Sequence, residues 1–201
     1  MENDNMMKRL MKNNINKNVV EIFCLLLFFS LIGCIIEKET ITNKGETMRI
    51  TSKSFEHGKS IPSEFTCDGN NTNPALEFKD VPENAKSLVL IMDDPDIPAF
   101  VKEKYSIQVW DHWIVFNIPP ETREVTEGNN PKGLLGVNTA GKKAYGSPCP
   151  PDREHHYFFK LYALDTMLSL KEGSTKKEVE TAMEEHILAK AELIGLYERK
   201  K

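Results

Sequence analysis

Three apolar runs constrain this chain more than any other feature: residues 85–92 (AKSLVLIM), 113–118 (WIVFNI) and 157–164 (YFFKLYAL). Each has the length and composition of a β-strand. The first is apolar without alternation, as a strand covered on both faces must be. The stretch Asp93-Asp94-Pro95-Asp96-Ile97-Pro98 is expected to end it, and Pro119-Pro120 to end the second, because proline supplies no ladder donor. A short alternating strand is expected over residues 49–54, and residues 121–143, rich in Gly and Asn, as loops and turns.

Only the end of the chain reads as helix. Thr175 and Glu178 have the spacing of a capping box. Val179, Ala182, Met183, Ile187, Ala189 and Leu193 then recur at helical spacing, with Gly195 as the stop. Strands followed by one terminal helix predict a mostly β domain over residues 48–201: an antiparallel β-sandwich with a C-terminal α-helix packed at one side. A domain of this length can bury a full core without covalent staples.

The first 47 residues differ in kind. Lys8, Arg9, Lys12 and Lys17 precede an apolar stretch at residues 22–32, which ends in Leu31-Ile32-Gly33-Cys34. That order fits an export signal over residues 1–34 with Cys34 as a lipid anchor, followed by a polar tether over residues 35–47. The expected location is the outer face of the cell membrane. Two other readings stay open: an uncleaved apolar anchor, and a cytoplasmic protein whose translation starts at Met48.

Charge excludes some functions. Residues 48–201 carry 20 Lys/Arg against 24 Asp/Glu, so the domain has no general attraction for nucleic acid or anionic surfaces. Any anion must be captured by local geometry. Two segments concentrate residues able to do so. In the first, Asp94 sits at a strand end locked by Pro95 and Pro98, while Asp96 is placed to bond the loop's own backbone; His112 precedes a buried strand. In the second, residues 141–157 (GKKAYGSPCPPDREHHY), Pro148, Pro150 and Pro151 stiffen the loop and Gly146 permits a close backbone approach. His155 and Tyr157, two apart, face one side and His156 the other. No H-E-x-x-H or G-x-S-x-G motif is present, and no cofactor is expected.

The runs TCDGNNTNPALEF, SLVLIMDDPDIP, DHWIVFNIP and YGSPCPPDREHHYFFKLYALD, with the tail TAMEEHILAKAELIGLYER, resemble the bacterial and archaeal, Raf-kinase-inhibitor-like branch of the phosphatidylethanolamine-binding protein family. The resemblance covers residues 48–199. It implies a β-sandwich and a pocket for small anions such as phosphate groups or phospholipid head groups. By motif, the implied ligand-binding residues are Asp94, Pro98, His112, Gly146, Cys149, Pro150, Pro151, His155 and Tyr157. Regulation of a partner protein, such as a kinase or protease, is also implied, with no residue naming the target.

Such a pocket needs donors, and His112, His155, the Tyr157 hydroxyl and the backbone N–H groups of residues 146–149 are the expected ones. Asp94 is expected to orient a histidine or to carry a proton, and a carboxylate neighbour to raise a histidine pKa toward the doubly donating form. The rival reading is a hydrolase using Asp94, His112 and His155 as metal ligands, or Ser147 with His155 as a nucleophile pair. Cys67 and Cys149 are either disulfide-bonded or two buried free thiols.

Overall fold

The computed structural model describes residues 47–200; the expectations for the export signal, Cys34 and the tether lie outside these residues. The domain is mostly β. Strands β1 (Arg49–Ser52), β2 (Lys59–Ser60), β3 (Leu76–Lys79) and β4 (Ser87–Asp94) are followed by helix α1 (Ala99–Tyr105). Then come β5 (Trp110–Ile118), β6 (Glu124–Val125), β7 (Leu134–Leu135), β8 (His155–Leu164), helix α2 (Lys176–Met183) and β9 (Ile187–Tyr197). They form a three-stranded sheet, β1-β3-β6, and a six-stranded sheet, β2-β9-β8-β4-β5-β7. All pairs are antiparallel except β2 with β9.

Alternation along β4 explains its unbroken apolar sequence. Leu88, Leu90 and Met92 pack toward the small sheet with Ile50, Leu76, Phe78, Trp113, Val115, Phe159 and Leu161. Val89 and Ile91 pack on the opposite face with Ile114, Phe116, Leu164, Leu168, Val179 and Met183. Both faces of the six-stranded sheet are therefore dry, one under the sandwich partner and one under α2. The capping box is formed: Thr175 Oγ1 accepts from the Glu178 N–H, and the Thr175 N–H donates to Glu178 Oε2 at 2.7 Å.

The terminal helix is shorter than its periodicity predicts. It stops at Met183, and Ile187–Tyr197 is a strand. Ile187, Ala189, Ala191, Leu193, Gly195 and Tyr197 satisfy period two as well as some of them satisfy period 3.6, and continuous pairing with β8 decides the outcome. Gly195 is not a helix stop. It lies in mid-strand, where a Cβ would meet Ile61 Cγ1 at 2.5 Å.

One strand end and one strand start also move. β4 continues through Asp93 and Asp94 before Pro95 ends it, and β5 begins three residues ahead of Trp113. Helix α1 lies in the segment between Pro98 and Trp110, where no regular element was expected; it starts on Pro98 and ends on Ser106 at φ 54°.

Candidate functional site

The last residues of β4 and the first residues of β5 and β8 meet at one end of the large sheet. Together with the start of α1 and the 146–151 loop they enclose a pocket of about 280 Å³. All nine residues singled out in the sequence line it. Ile97, Val101, Trp110, Asn138, Ala140 and Ser147 complete the wall, and no Lys or Arg is among the lining residues.

His112 owes its position to a β-bulge. Met92 pairs with Trp113 and Asp93 with Asp111, so His112 is an extra residue with no partner on β4. A bulge re-aims one side chain and frees its backbone. Here Asp111 turns to the helix side, while His112 joins Trp113 on the pocket side and packs edge-on against Tyr157 at 5.3 Å between ring centroids. The freed carbonyl of His112 accepts the Gly146 N–H at 2.9 Å, and Asn138 Nδ2 donates to the same oxygen at 3.3 Å. Gly146 is needed for this approach, since a Cβ would come within 3.2 Å of that oxygen.

The His112 ring returns the contact. Its Nδ1 lies 2.7 Å from the Gly146 carbonyl oxygen, which can only accept, so Nδ1 carries the proton. In the neutral ring Nε2 is then a lone-pair acceptor, with no hydrogen bond among the described residues. Burial pushes the imidazole pKa down to about 4, against a smaller upward pull from Gly146 and Asp93. The expectation of a histidine raised toward the doubly donating form is therefore wrong for His112: desolvation outweighs charge.

His155 is fully buried and committed on both sides. Its Nδ1 is 2.8 Å from Asp94 Oδ2, and its Nε2 is 2.8 Å from Asp152 Oδ1. Each contact needs one proton. Either the ring is an imidazolium between two carboxylates, or the ring is neutral and one carboxyl is protonated; the trio carries net −1 in both cases. Burial raises the Asp94 carboxyl, with His155 pulling the other way, which makes Asp94 the natural proton holder of the pair. So His155 is an orienting group, not the free donor expected from sequence. Asp94 does orient a histidine, and its Oδ1 also accepts the Asp96 N–H at 2.8 Å. Asp96, expected to bond its own loop, instead accepts from His156 Nδ1 at 2.7 Å and the His156 N–H at 2.9 Å.

Tyr157 is the outlier. Tyr157 is one of the lining residues; its hydroxyl is buried and makes no hydrogen bond of ordinary geometry among the described residues. The Cys149 backbone amide lies close enough to influence it, but nothing among the described residues accepts its proton. Burial, reinforced by the Asp94 charge, drives its pKa upward, so it stays a donor. Such an orphan costs about 1–3 kcal/mol unless something fills it.

Cys67 and Cys149 form a disulfide with Cα atoms 5.4 Å apart, and both residues are exposed rather than buried. Asp94 and His155 bond one another instead of converging on a common point; among the described residues no group of three His, Cys, Asp or Glu is placed to hold a metal. Both nitrogens of His155 are taken by carboxylates, so Ser147 forms no pair with it.

Sequence reasoning missed Asp152, although it stands three residues before His155, and Asn138, which ties the His112 and Ala144 carbonyls together. It also missed the support behind the pocket. Asp93, facing the helix side, accepts from Lys160 Nζ at 2.8 Å and Lys176 Nζ at 2.6 Å, and Lys176 reaches Asp111 at 3.0 Å. This cluster pins the end of β4, the start of β5 and the middle of β8 to the start of α2.

His112 makes the fold acid-sensitive in a defined window. A base whose folded pKa lies below its unfolded value contributes stability that is complete above about pH 6.5 and lost as pH falls toward about 4. Asp94 and Asp111, both raised by burial, act in the opposite sense, so a difference between variants isolates the histidine. In urea unfolding, the stability lost between about pH 7 and about pH 4.5 should be about 2–3 kcal/mol smaller in His112→Gln than in the parent. Equal losses would place the acid sensitivity elsewhere.

Known proteins resemble this chain over the whole described domain. Residues 51–198 match the family described as phosphatidylethanolamine-binding protein. A UPF0098 protein of Chlamydia trachomatis is 47% identical over 152 residues, covering 76% of this chain and 99% of that protein. A UPF0098 protein of Pyrococcus abyssi is 42% identical over 187 residues, covering 88% and 97%. Among solved structures, the phosphatidylethanolamine-binding protein homolog CT736 of Chlamydia trachomatis superposes with a TM-score of 0.73 at 47% identity, covering 77% of this chain and 99% of its own. E. coli YbcL, a member of the mammalian PEBP family, gives 0.68 at 30% identity, covering 76% and 99%.

Proposed function

This chain belongs to the phosphatidylethanolamine-binding protein family, and we propose that its pocket binds a small phosphate-type head group in the monoanionic, singly protonated form. The carrying observation is the buried Tyr157 hydroxyl with no acceptor. A phosphate oxygen supplies that acceptor. The lone pair on His112 Nε2 supplies the complementary need, an acceptor for a P–OH proton. A dianion fits poorly: the lining lacks Lys and Arg, and the Asp94–His155–Asp152 trio adds net negative charge. The apolar wall of Ile97, Pro98, Val101, Trp110, Pro150 and Pro151 suits the carbon atoms next to the head group. The volume of about 280 Å³ suits a head group and not an acyl chain.

A binding role is favoured over hydrolysis. The two histidines are each locked to a fixed partner, and neither is paired with a nucleophile. An exposed disulfide supports residence in an oxidising compartment, in keeping with export and anchoring through Cys34. Mass spectrometry of membrane-extracted protein tests that location: a mature chain beginning at lipidated Cys34 agrees with it, and an unprocessed or Met48-initiated chain does not.

Tyr157→Phe tests the binding role through two opposed effects. Without ligand, removing an unsatisfied buried hydroxyl should stabilise the fold by about 1 kcal/mol. With ligand, losing the donor should weaken phosphoethanolamine binding roughly ten- to a hundredfold. A variant that loses stability and keeps its affinity would sink the assignment of Tyr157 as a ligand donor.

A further inference from the structure

We propose that the Cys67–Cys149 bond is a thiol–disulfide exchange site for a dithiol reductant, and that its state gates the pocket. The inference rests on the binding role proposed above and concerns regulation of the same site. Three observations carry it. Both cysteines are exposed residues, so the bond lies at the surface of the domain and not in its core. Cys149 is itself a pocket wall, between Pro148 and Pro150, and its backbone amide lies beside the Tyr157 hydroxyl. The bond also joins two loops whose other ties are few. Cys67 N–H donates to the Pro148 carbonyl at 3.0 Å, Tyr145 Oη donates to the Phe65 carbonyl at 2.9 Å, and Ser147 N–H reaches Asn71 Oδ1 at 3.3 Å.

The 146–151 loop contains no regular element, so the disulfide is the one covalent hold on this wall among the described residues. The chemistry balances as ordinary exchange. A thiolate of the dithiol attacks one sulfur and forms a mixed disulfide. Its second thiol then displaces the protein sulfur, leaving Cys67 and Cys149 as thiols and the reductant as a disulfide. With the bond open, residues 147–151, beyond the two hydrogen bonds that hold Gly146 to His112, are no longer fixed against Tyr157, and the pocket loses that wall. Ligand capture then depends on an oxidising environment.

The test is made on the full chain, with dithiothreitol as the dithiol. Thiol titration without denaturant should show both cysteines released while far-UV circular dichroism stays native. Calorimetry with phosphoethanolamine should then show affinity reduced at least about fivefold. Amide exchange should accelerate at Ser147 and Cys149 and not in β4 or β8. Cys67→Ser combined with Cys149→Ser should bind like the reduced protein and ignore dithiothreitol. Resistance of the bond to reduction in the folded state would overturn the gate. So would unchanged exchange and affinity after reduction, or global unfolding on reduction, which would make the bond a general staple. The exchange measurement needs no ligand: if phosphoethanolamine binds neither form, the binding role fails while the gate is still judged.

Discussion

Replacing both cysteines, Cys67→Ser with Cys149→Ser, should lower the unfolding free energy by about 4.5 kcal/mol. The bridge spans 82 residues of sequence, and closing a loop of that length removes roughly this much entropy from the unfolded chain. Little should be lost from the native core, because serine fits two exposed positions; the native-state change is confined to the loop that the bridge holds. For a domain of this size the loss corresponds to a melting temperature lower by about 10–15 °C. Urea unfolding of the double variant should also show a larger denaturant slope, since the unbridged chain exposes more surface. A loss below about 1 kcal/mol would mean that the bridge does not constrain the unfolded ensemble.

That bridge also marks where sequence reasoning stops. Two cysteines in pocket-side loops were visible; their Cα separation was not, because it depends on how β-loops far apart in sequence converge. The same limit applies to His112. Its place at the head of a buried strand was legible, but a bulge is a property of two paired strands, and only the register of β4 against β5 shows that His112 is the unpaired residue. The apolar runs were legible because burial on both sheet faces writes itself as continuous hydrophobicity. The capping box at Thr175 and Glu178 was legible because it is local. Residues 187–197 were misread for the complementary reason: alanines and leucines at mixed spacing satisfy two periods, and tertiary pairing with β8 chooses. Helix α1 has no buried residue, so it left no apolar stripe to find.

The nine expected pocket residues do converge, yet their roles changed on inspection of their partners. His155 spends both nitrogens on carboxylates and Asp94 holds it in place. Among the side chains the donor left for a ligand is the Tyr157 hydroxyl, with His112 as an acceptor; the Gly146 and Ser147 amides, expected as donors, are bonded to His112 and Asn71. A hydrogen-bond inventory of this kind cannot be read from residue types, because each side chain's capacity is shared among neighbours that only the fold brings together.

This inventory makes ligand protonation the controlling variable. A phosphate monoester loses its second proton near pH 6, so the monoanion is about three-quarters of the ligand at pH 5.5 and about one-hundredth at pH 8. If only the monoanion binds, affinity falls by about 75-fold between those values. The charge of His112 does not change in this window, because burial holds its pKa to about 4. Asp94, raised by burial, acts in the same direction as the ligand, since any proton it gains at lower pH removes a repelling charge. Asp96 and Asp152, although burial pushes each upward, are held below the usual carboxylate range mainly by their bonds to His156 and His155, and stay ionised throughout.

Calorimetric titration of the oxidised full-length protein with phosphoethanolamine, at about pH 5.5 and about pH 8, tests this most directly. Binding should be tighter at the lower pH by roughly 50- to 100-fold. Equal affinity at the two values, or tighter binding at pH 8, would contradict it.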